Sequence, residues 1–209
     1  MSLPQSPRSI AAMRSLVFVW PYAIAFWLVY VWAFTPEFAI VSRARRTVVE
    51  NRSKDAGSLG LILIGTSLML VLSFPLSFVA SLRFPAAANL PAFVIGTVLL
   101  LAGSLLRRHC WRILGEFFTG DVQTRADQPV INRGAYRWVR HPSYSAAILM
   151  FTGIGVALAN WASLVPLVLV AILVYSYRAR VEEKALIQTL GQPYITYMKA
   201  RKRFVPFIV

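Results

Sequence analysis

One cysteine, two histidines and eight acidic residues are all that the 209 positions hold of the groups most used for disulfides, metals and acid chemistry. The single Cys110 excludes an intrachain disulfide framework and a site built on several thiolates. His109 and His141 stand far apart and form no ligand pattern such as H-E-x-x-H, so no metal is expected. No G-x-G-x-x-G follows a strand-like run, which leaves a soluble dinucleotide-binding domain without support. Internal repeats and low-complexity tracts are also missing.

What the chain has in quantity is apolar residues, at 57%, with a mean hydropathy of +0.61 and only 14% charged residues. That balance is too apolar for a soluble domain of this size and points to a membrane protein. Five apolar runs are expected to be membrane helices: Leu16–Phe34, Gly60–Leu82, Leu90–Leu106, Ser143–Ala159 and Trp161–Tyr177. A cleaved signal peptide is the rival reading of the first run. The arginines that follow it, Arg43, Arg45 and Arg46, suit a retained anchor better. Pro75 interrupts the second run, which neighbouring helices can tolerate. Only Asn160 and its neighbours separate the last two runs, so these form a tight helical hairpin with an uncharged tip.

The expected fold is therefore an all-α integral membrane bundle of about five transmembrane helices. Residues 1–106 form a three-helix membrane region. Residues 107–209 form a second membrane region with a long polar loop, the hairpin and a basic tail, and the two make a single structural unit. The net charge of +14 would suit nucleic acid or anionic lipid. Nineteen of the 22 Lys and Arg fall in the 1–2 loop, the 3–4 loop and the C-terminal segment, which five spans place on one side. The positive-inside rule then accounts for the charge without nucleic acid, and puts the N-terminus out and the C-terminus in the cytosol.

The most informative stretch runs from Gly134 to Tyr144 and reads GAYRWVRHPSY. It joins arginine, histidine and two tyrosines to a proline at the entry to the fourth apolar run. Polar groups are costly beside hydrocarbon, so such a cluster reads as a site. The plainer reading is a basic collar at the headgroups. A second group follows the fifth run: Tyr175, Arg178, Glu182 and Glu183. On a continuing helix Tyr175, Arg178 and Glu182 share one face. A simple i,i+4 salt bridge would explain Arg178 and Glu182, but two of the eight acids stand side by side here, at a membrane boundary. The hairpin returns this helix end beside Arg140, His141 and Tyr144. Apposed acidic, basic and aromatic side chains at a cytosolic mouth suit a zwitterionic, aromatic ligand.

Arg140-His141-Pro142, a long apolar interval, then Glu182-Glu183 resembles integral-membrane methyltransferases, specifically the isoprenylcysteine carboxyl methyltransferases and their phospholipid N-methyltransferase relatives. The match to the former continues through Leu114-Gly115, Phe118-Thr119, Gln123, Val130-Ile131, Gly134, Tyr136, Ser143-Tyr144, Arg178, Gly191, Tyr194, Tyr197 and Pro206. It covers roughly the last half of the chain. The resemblance implies S-adenosylmethionine as donor, with S-adenosylhomocysteine as product. It implies that Gln123, Val130, Ile131, Tyr136, His141, Pro142, Ser143, Tyr144 and Glu182 line the cofactor pocket, with Gln128, Gly134, Arg140 and Glu183 beside them. Arg178 is expected to face the methyl acceptor as the catalytic residue, and Tyr175 and Arg203 to join it in binding substrate. Gln128 stands where the family usually has histidine; it can donate and accept hydrogen bonds but carries no charge.

Methyl transfer from a sulfonium is an in-line displacement, and the protein's main task is positioning. A carboxylate acceptor needs no general base, and a guanidinium fork suits its orientation. An amine acceptor must lose a proton. The expected function is thus O-methylation of a carboxylate on a lipidic or prenylated acceptor drawn from the bilayer. Phospholipid N-methylation and small-molecule S-methylation on the same scaffold are the alternatives. A non-enzymatic carrier is the alternative of another class, but a carrier would place polar residues at mid-membrane in paired halves. The basic tail Lys199, Arg201, Lys202 and Arg203 reads either as a holder of anionic headgroups or as a positive-inside anchor.

Overall fold

The computed structural model describes residues 15–47, 57–118 and 128–205. Among them the regular structure is helical: α1 (Tyr22–Thr47), α2 (Ser58–Leu76), α3 (Asn89–Leu114), α4 (Pro142–Ala157), α5 (Trp161–Leu190) and α6 (Gln192–Ala200). Ser58–Leu76, Ala86–Leu114 and Trp161–Leu190 are each long and apolar enough to cross a membrane. Pro142–Ala157 is apolar but shorter. Leu28, Val31, Ile64, Val71, Val98 and Leu173 are exposed and form the face such a bundle turns to lipid.

Several boundaries differ from the apolar runs, each for a local reason. The first run opens as a 3-10 turn at Leu16–Phe18, and α1 begins only at Tyr22, just past Pro21. The second run's helix stops at Leu76, directly after Pro75, and Ala80–Leu82 is a separate turn. α3 runs eight residues past Leu106, so Arg107, Arg108 and Arg112 are helical rather than part of a polar loop. These charges are tolerated because the first two find partners on α1. The proposed division after residue 106 falls inside this helix. α5 likewise continues to Leu190, as the Tyr175–Glu183 spacing requires.

α3 and α4 pack with their backbones almost touching. A Cβ placed on Gly96 would lie 2.3 Å from the Ala157 nitrogen, and one on Gly153 would lie 2.5 Å from the Leu100 nitrogen. Small residues let membrane helices approach in this way. The same seam carries the buried Leu100, Met150 and Ile154 of the core. Gly153→Leu is therefore expected to destabilise the bundle by about 1–3 kcal/mol or more, because backbone rather than a yielding side chain meets the new atoms. Gly60→Leu is the matched control, since nothing lies near a Cβ there. Thermal unfolding in detergent decides it; equal midpoints for the two variants would show that the seam is loose.

The hairpin tip is closed, not open. Asn160 is fully buried. Its Nδ2 donates to the carbonyls of Ser77 (3.0 Å) and Val79 (2.9 Å), while its Oδ1 accepts from Ala162 N at 2.8 Å and caps α5. Phe84 N donates to Ala159 O at 2.9 Å, and Ser163 Oγ to Ser73 O at 2.6 Å. The α4–α5 hairpin is thus stitched to the end of α2 and to the chain that links it to α3.

Candidate functional site

Arg140 and His141 stand at the foot of α4. Pro142 occupies its first turn, where its missing N–H costs nothing. His141 makes no side-chain cap. Its ring instead turns to α5, with Nε2 3.1 Å from Glu183 Oε1 and Nδ1 3.7 Å from Glu182 Oε2. A carboxylate only accepts, so Nε2 carries the proton in the first contact. Tyr144, one turn along α4, stacks parallel to the His141 ring at 5.2 Å and donates its hydroxyl to Glu182 Oε2 at 2.5 Å.

The two adjacent glutamates have different surroundings. Glu183 is 4% exposed. It accepts from Arg203 Nη2 (2.6 Å) and Nε (3.2 Å), as well as from His141, and Arg140 Nε lies 3.2 Å away. Arg140 also donates through Nη1 to Met198 O at 3.0 Å. Hydrogen bonding to Glu183 raises Arg203 above the ordinary arginine range. Glu182 has a side chain 32% exposed, so a ligand can reach it. Glu183 is a structural hub, and Glu182 faces outward from it.

The C-terminal segment completes this wall. Val139 pairs with Lys202 in a parallel bridge, Arg140 N donates to Lys202 O at 2.8 Å, and His141 N to Arg203 O at 3.0 Å. Ser145 Oγ donates to Phe204 O at 2.7 Å. Tyr197 of α6 donates its hydroxyl to Tyr136 O at 2.6 Å. Burial pushes Tyr197 up to about 12, so it stays a neutral donor through the physiological range. Tyr194, Tyr197 and Leu186 form a small core against which Val130 packs.

Tyr175 is buried between Tyr144 (5.3 Å) and Phe151 (6.4 Å). One turn further on, Arg178 is 3% exposed and donates through Nη1 to Ser58 Oγ of α2 at 2.6 Å. Its guanidinium also interacts with the Tyr144 hydroxyl. Gly134 opens the turn Gly134–Arg137 at φ +56°, a conformation that suits glycine, and a Cβ there would strike Ile113. Gln128 and Ile131 are half-buried on the segment leading to that turn. Gln123 lies outside the described residues. The structure thus brings Arg140, His141, Tyr144, Tyr175, Arg178, Glu182, Glu183 and Arg203 together. Arg203, expected beside the substrate, pairs with Glu183.

Sequence reasoning missed the partner on the other flank. Arg107 of α3 is buried; it donates through Nη1 to Ser143 Oγ at 2.8 Å and to Ser143 O at 3.0 Å. Its Nη2 donates to Glu37 Oε2 of α1 at 2.8 Å, and its Nε pairs with the other carboxylate oxygen. One scarce acid near the end of the first apolar run and one arginine just past the third were the only signals available. The pair ties α1 and α3 to the first turn of α4.

Polar and charged side chains gathered at one end of an apolar helical bundle define an integral-membrane protein with a site at the edge of its membrane region. A sequence profile of the isoprenylcysteine carboxyl methyltransferase family matches residues 94–188. Protein-S-isoprenylcysteine O-methyltransferase of Saccharomyces cerevisiae is 34% identical over 117 residues, 55% of this chain and 49% of that protein. The Homo sapiens protein of the same name is 30% identical over 117 residues, 55% of this chain and 41% of that one. The chain spans about half the length of the curated relatives it matches. A solved structure of a eukaryotic intramembrane Ras methyltransferase, an isoprenylcysteine carboxyl methyltransferase, superposes with a TM-score of 0.63. It covers 95% of this chain and 73% of that one at 21% identity, a likeness of fold. Residues 94–188, just under half of the chain, are thus similar to the isoprenylcysteine carboxyl methyltransferase family.

Proposed function

We propose that the protein is an S-adenosylmethionine-dependent membrane methyltransferase that esterifies a carboxylate on a lipidic, isoprenylcysteine-like acceptor. The observation that supports it most is the cluster of His141, Tyr144 and the reachable carboxylate of Glu182, one helical turn from Arg178. The cluster suits the donor chemically: a carboxylate for its cationic groups, and stacked rings for a planar heterocycle. When bound, the donor supplies a methyl group on a sulfonium. Glu182, His141 and Tyr144 hold it. Arg178 would orient the acceptor carboxylate, one oxygen of which takes the methyl group without a base while the donor's S–CH3 bond breaks and its sulfur leaves as a neutral thioether. Glu183, Arg203, Arg140 and Arg107 keep these side chains in place.

The test is a shift in unfolding temperature with S-adenosylhomocysteine, followed by transfer of labelled methyl groups to an N-acylated S-prenylcysteine. A labelled product that releases methanol on base treatment is an ester. A base-stable label on phosphatidylethanolamine would instead favour the amine-methylating alternative, which arginine's affinity for phosphate keeps open.

The same proposal places the N-terminus outside and the site in the cytosol, in one structural unit. Position 160 is buried and a poor reporter, whereas Trp161 is 52% exposed at the same tip. A cysteine at 161, with Cys110 replaced, is expected to react with an impermeant maleimide only from outside. Labelling only from the cytosolic side would invert the topology.

A further inference from the structure

Four cations meet where the chain before α4 runs alongside the end of α6 and the residues that follow it. Arg137 and Trp138 form one wall of a groove of about 400 Å³, and Lys199, Ala200, Arg201 and Lys202 form the other. Among the described residues no acid lines it. The neighbouring arginines differ: Arg140 and Arg203 both face Glu183. The walls are held in register by the Val139–Lys202 bridge and by Arg140 N donating to Lys202 O at 2.8 Å. The Arg137 guanidinium lies 5.1 Å from the Trp138 ring centre, and Trp138 is 53% exposed. Arg201 has a buried Nε with no hydrogen-bond partner among the described residues. The volume lies within the usual range for small-ligand sites, roughly 300–1,000 Å³.

We propose that this groove binds the phosphate of an acidic phospholipid. Converging arginine and lysine with no acid among them select an anion, and phosphate offers oxygens to several donors at once. The location selects a lipid over a soluble anion. The groove adjoins His141, the residue before the short apolar helix α4, at the level where α5 leaves its apolar stretch. α5, with 30 residues, is about 45 Å long, the depth of the hydrocarbon and both headgroup layers. An exposed tryptophan at this height favours the interface. Binding has a second effect, because the wall that carries Lys199 and Lys202 also supplies the carbonyls that receive the Arg140 and His141 N–H groups. A phosphate bridging both walls reinforces that pairing. The inference does not rest on the methyl-transfer reading.

The experiment uses the full chain in nanodiscs of phosphatidylcholine alone or with phosphatidylglycerol. Lipids brominated on the acyl chain near the headgroup quench tryptophan, and the difference between the wild type and Trp138→Phe isolates the Trp138 signal. Brominated phosphatidylglycerol is expected to quench that signal more than brominated phosphatidylcholine at equal mole fraction, and to raise the unfolding midpoint. Lys199→Gln with Lys202→Gln, both at exposed side chains, should lower the preference by about fivefold for each lysine removed. Arg180→Gln with Lys184→Gln removes as much charge from exposed positions outside the groove and should leave the preference unchanged. Equal loss in both double variants would overturn the site in favour of a diffuse basic collar. Equal quenching by the two lipids in the wild type would also overturn it. A midpoint raised as far by inorganic phosphate in phosphatidylcholine discs would assign the groove to soluble anions instead.

Discussion

Arg178→Lys is expected to leave the protein folded and able to bind S-adenosylhomocysteine, yet to slow methyl transfer on the order of a hundredfold. Lysine keeps the positive charge and can still donate to Ser58 Oγ, the contact Arg178 makes at 2.6 Å, so the α2–α5 junction survives. What it loses is the planar fork that can hold both oxygens of a carboxylate while also touching Tyr144. A misplacement of about 1 Å costs roughly that factor in a displacement governed by alignment. Cofactor affinity should change little, because Glu182 and His141 are assigned to the donor. Single-turnover rates on a prenylcysteine acceptor, with calorimetry for S-adenosylhomocysteine, make the measurement. Near-normal turnover would make Arg178 a purely structural link between α2 and α5, and would weaken the case for a carboxylate acceptor.

The adjacent glutamates should give opposite results despite being identical in type. Glu183→Ala leaves His141, Arg203 and Arg140 facing a buried site without its carboxylate. Breaking a buried ion cluster by removing one partner costs about 3–5 kcal/mol. The expected result is a marked fall in unfolding midpoint, with binding lost because the wall is lost. Glu182→Gln keeps the shape, retains an acceptor for Tyr144 and lies at the accessible edge. Its midpoint should stay near wild type, while affinity for S-adenosylhomocysteine falls by about 1–3 kcal/mol for the lost charged contact. Equal midpoints for Glu183→Ala and Glu182→Gln would contradict the division into hub and ligand-facing carboxylate. Wild-type affinity in Glu182→Gln would remove Glu182 from the donor site.

The meeting of Arg140, His141 and Tyr144 with Glu182 and Glu183 was legible in the sequence for a simple reason. A short uncharged connection between two apolar runs forces a hairpin, and a hairpin returns its ends to each other. The one-turn spacing of Tyr175, Arg178 and Glu182 was legible through helical periodicity. The Arg107–Glu37 pair was not, because the two residues lie 70 positions apart on helices whose mutual packing no local pattern encodes. Arg203 reads from the resemblance as a substrate residue and from charge as part of a basic tail; neither reading contains its grip on Glu183. Only the pairing of residues 139–141 with 202–203 distinguishes it from Lys202, its immediate neighbour. Asn160 looked like a loop residue at an uncharged tip, although its amide satisfies two carbonyls of a distant turn. Pro75 was recognised as an interruption, but whether a proline ends a membrane helix or only bends it depends on neighbours that the local pattern does not name.

The bridge between Val139 and Lys202 has a consequence for biosynthesis. The backbone acceptors for Arg140 and His141, and the guanidinium that grips Glu183, are all made some 60 residues later, after both arms of the hairpin. While the chain is still being synthesised, α4 can enter the bilayer with its foot unclasped. Glu183 must wait for its arginine until residue 203 has cleared the ribosome. The helices can therefore pack before this wall is clasped, and the cluster closes only after both hairpin arms have been made.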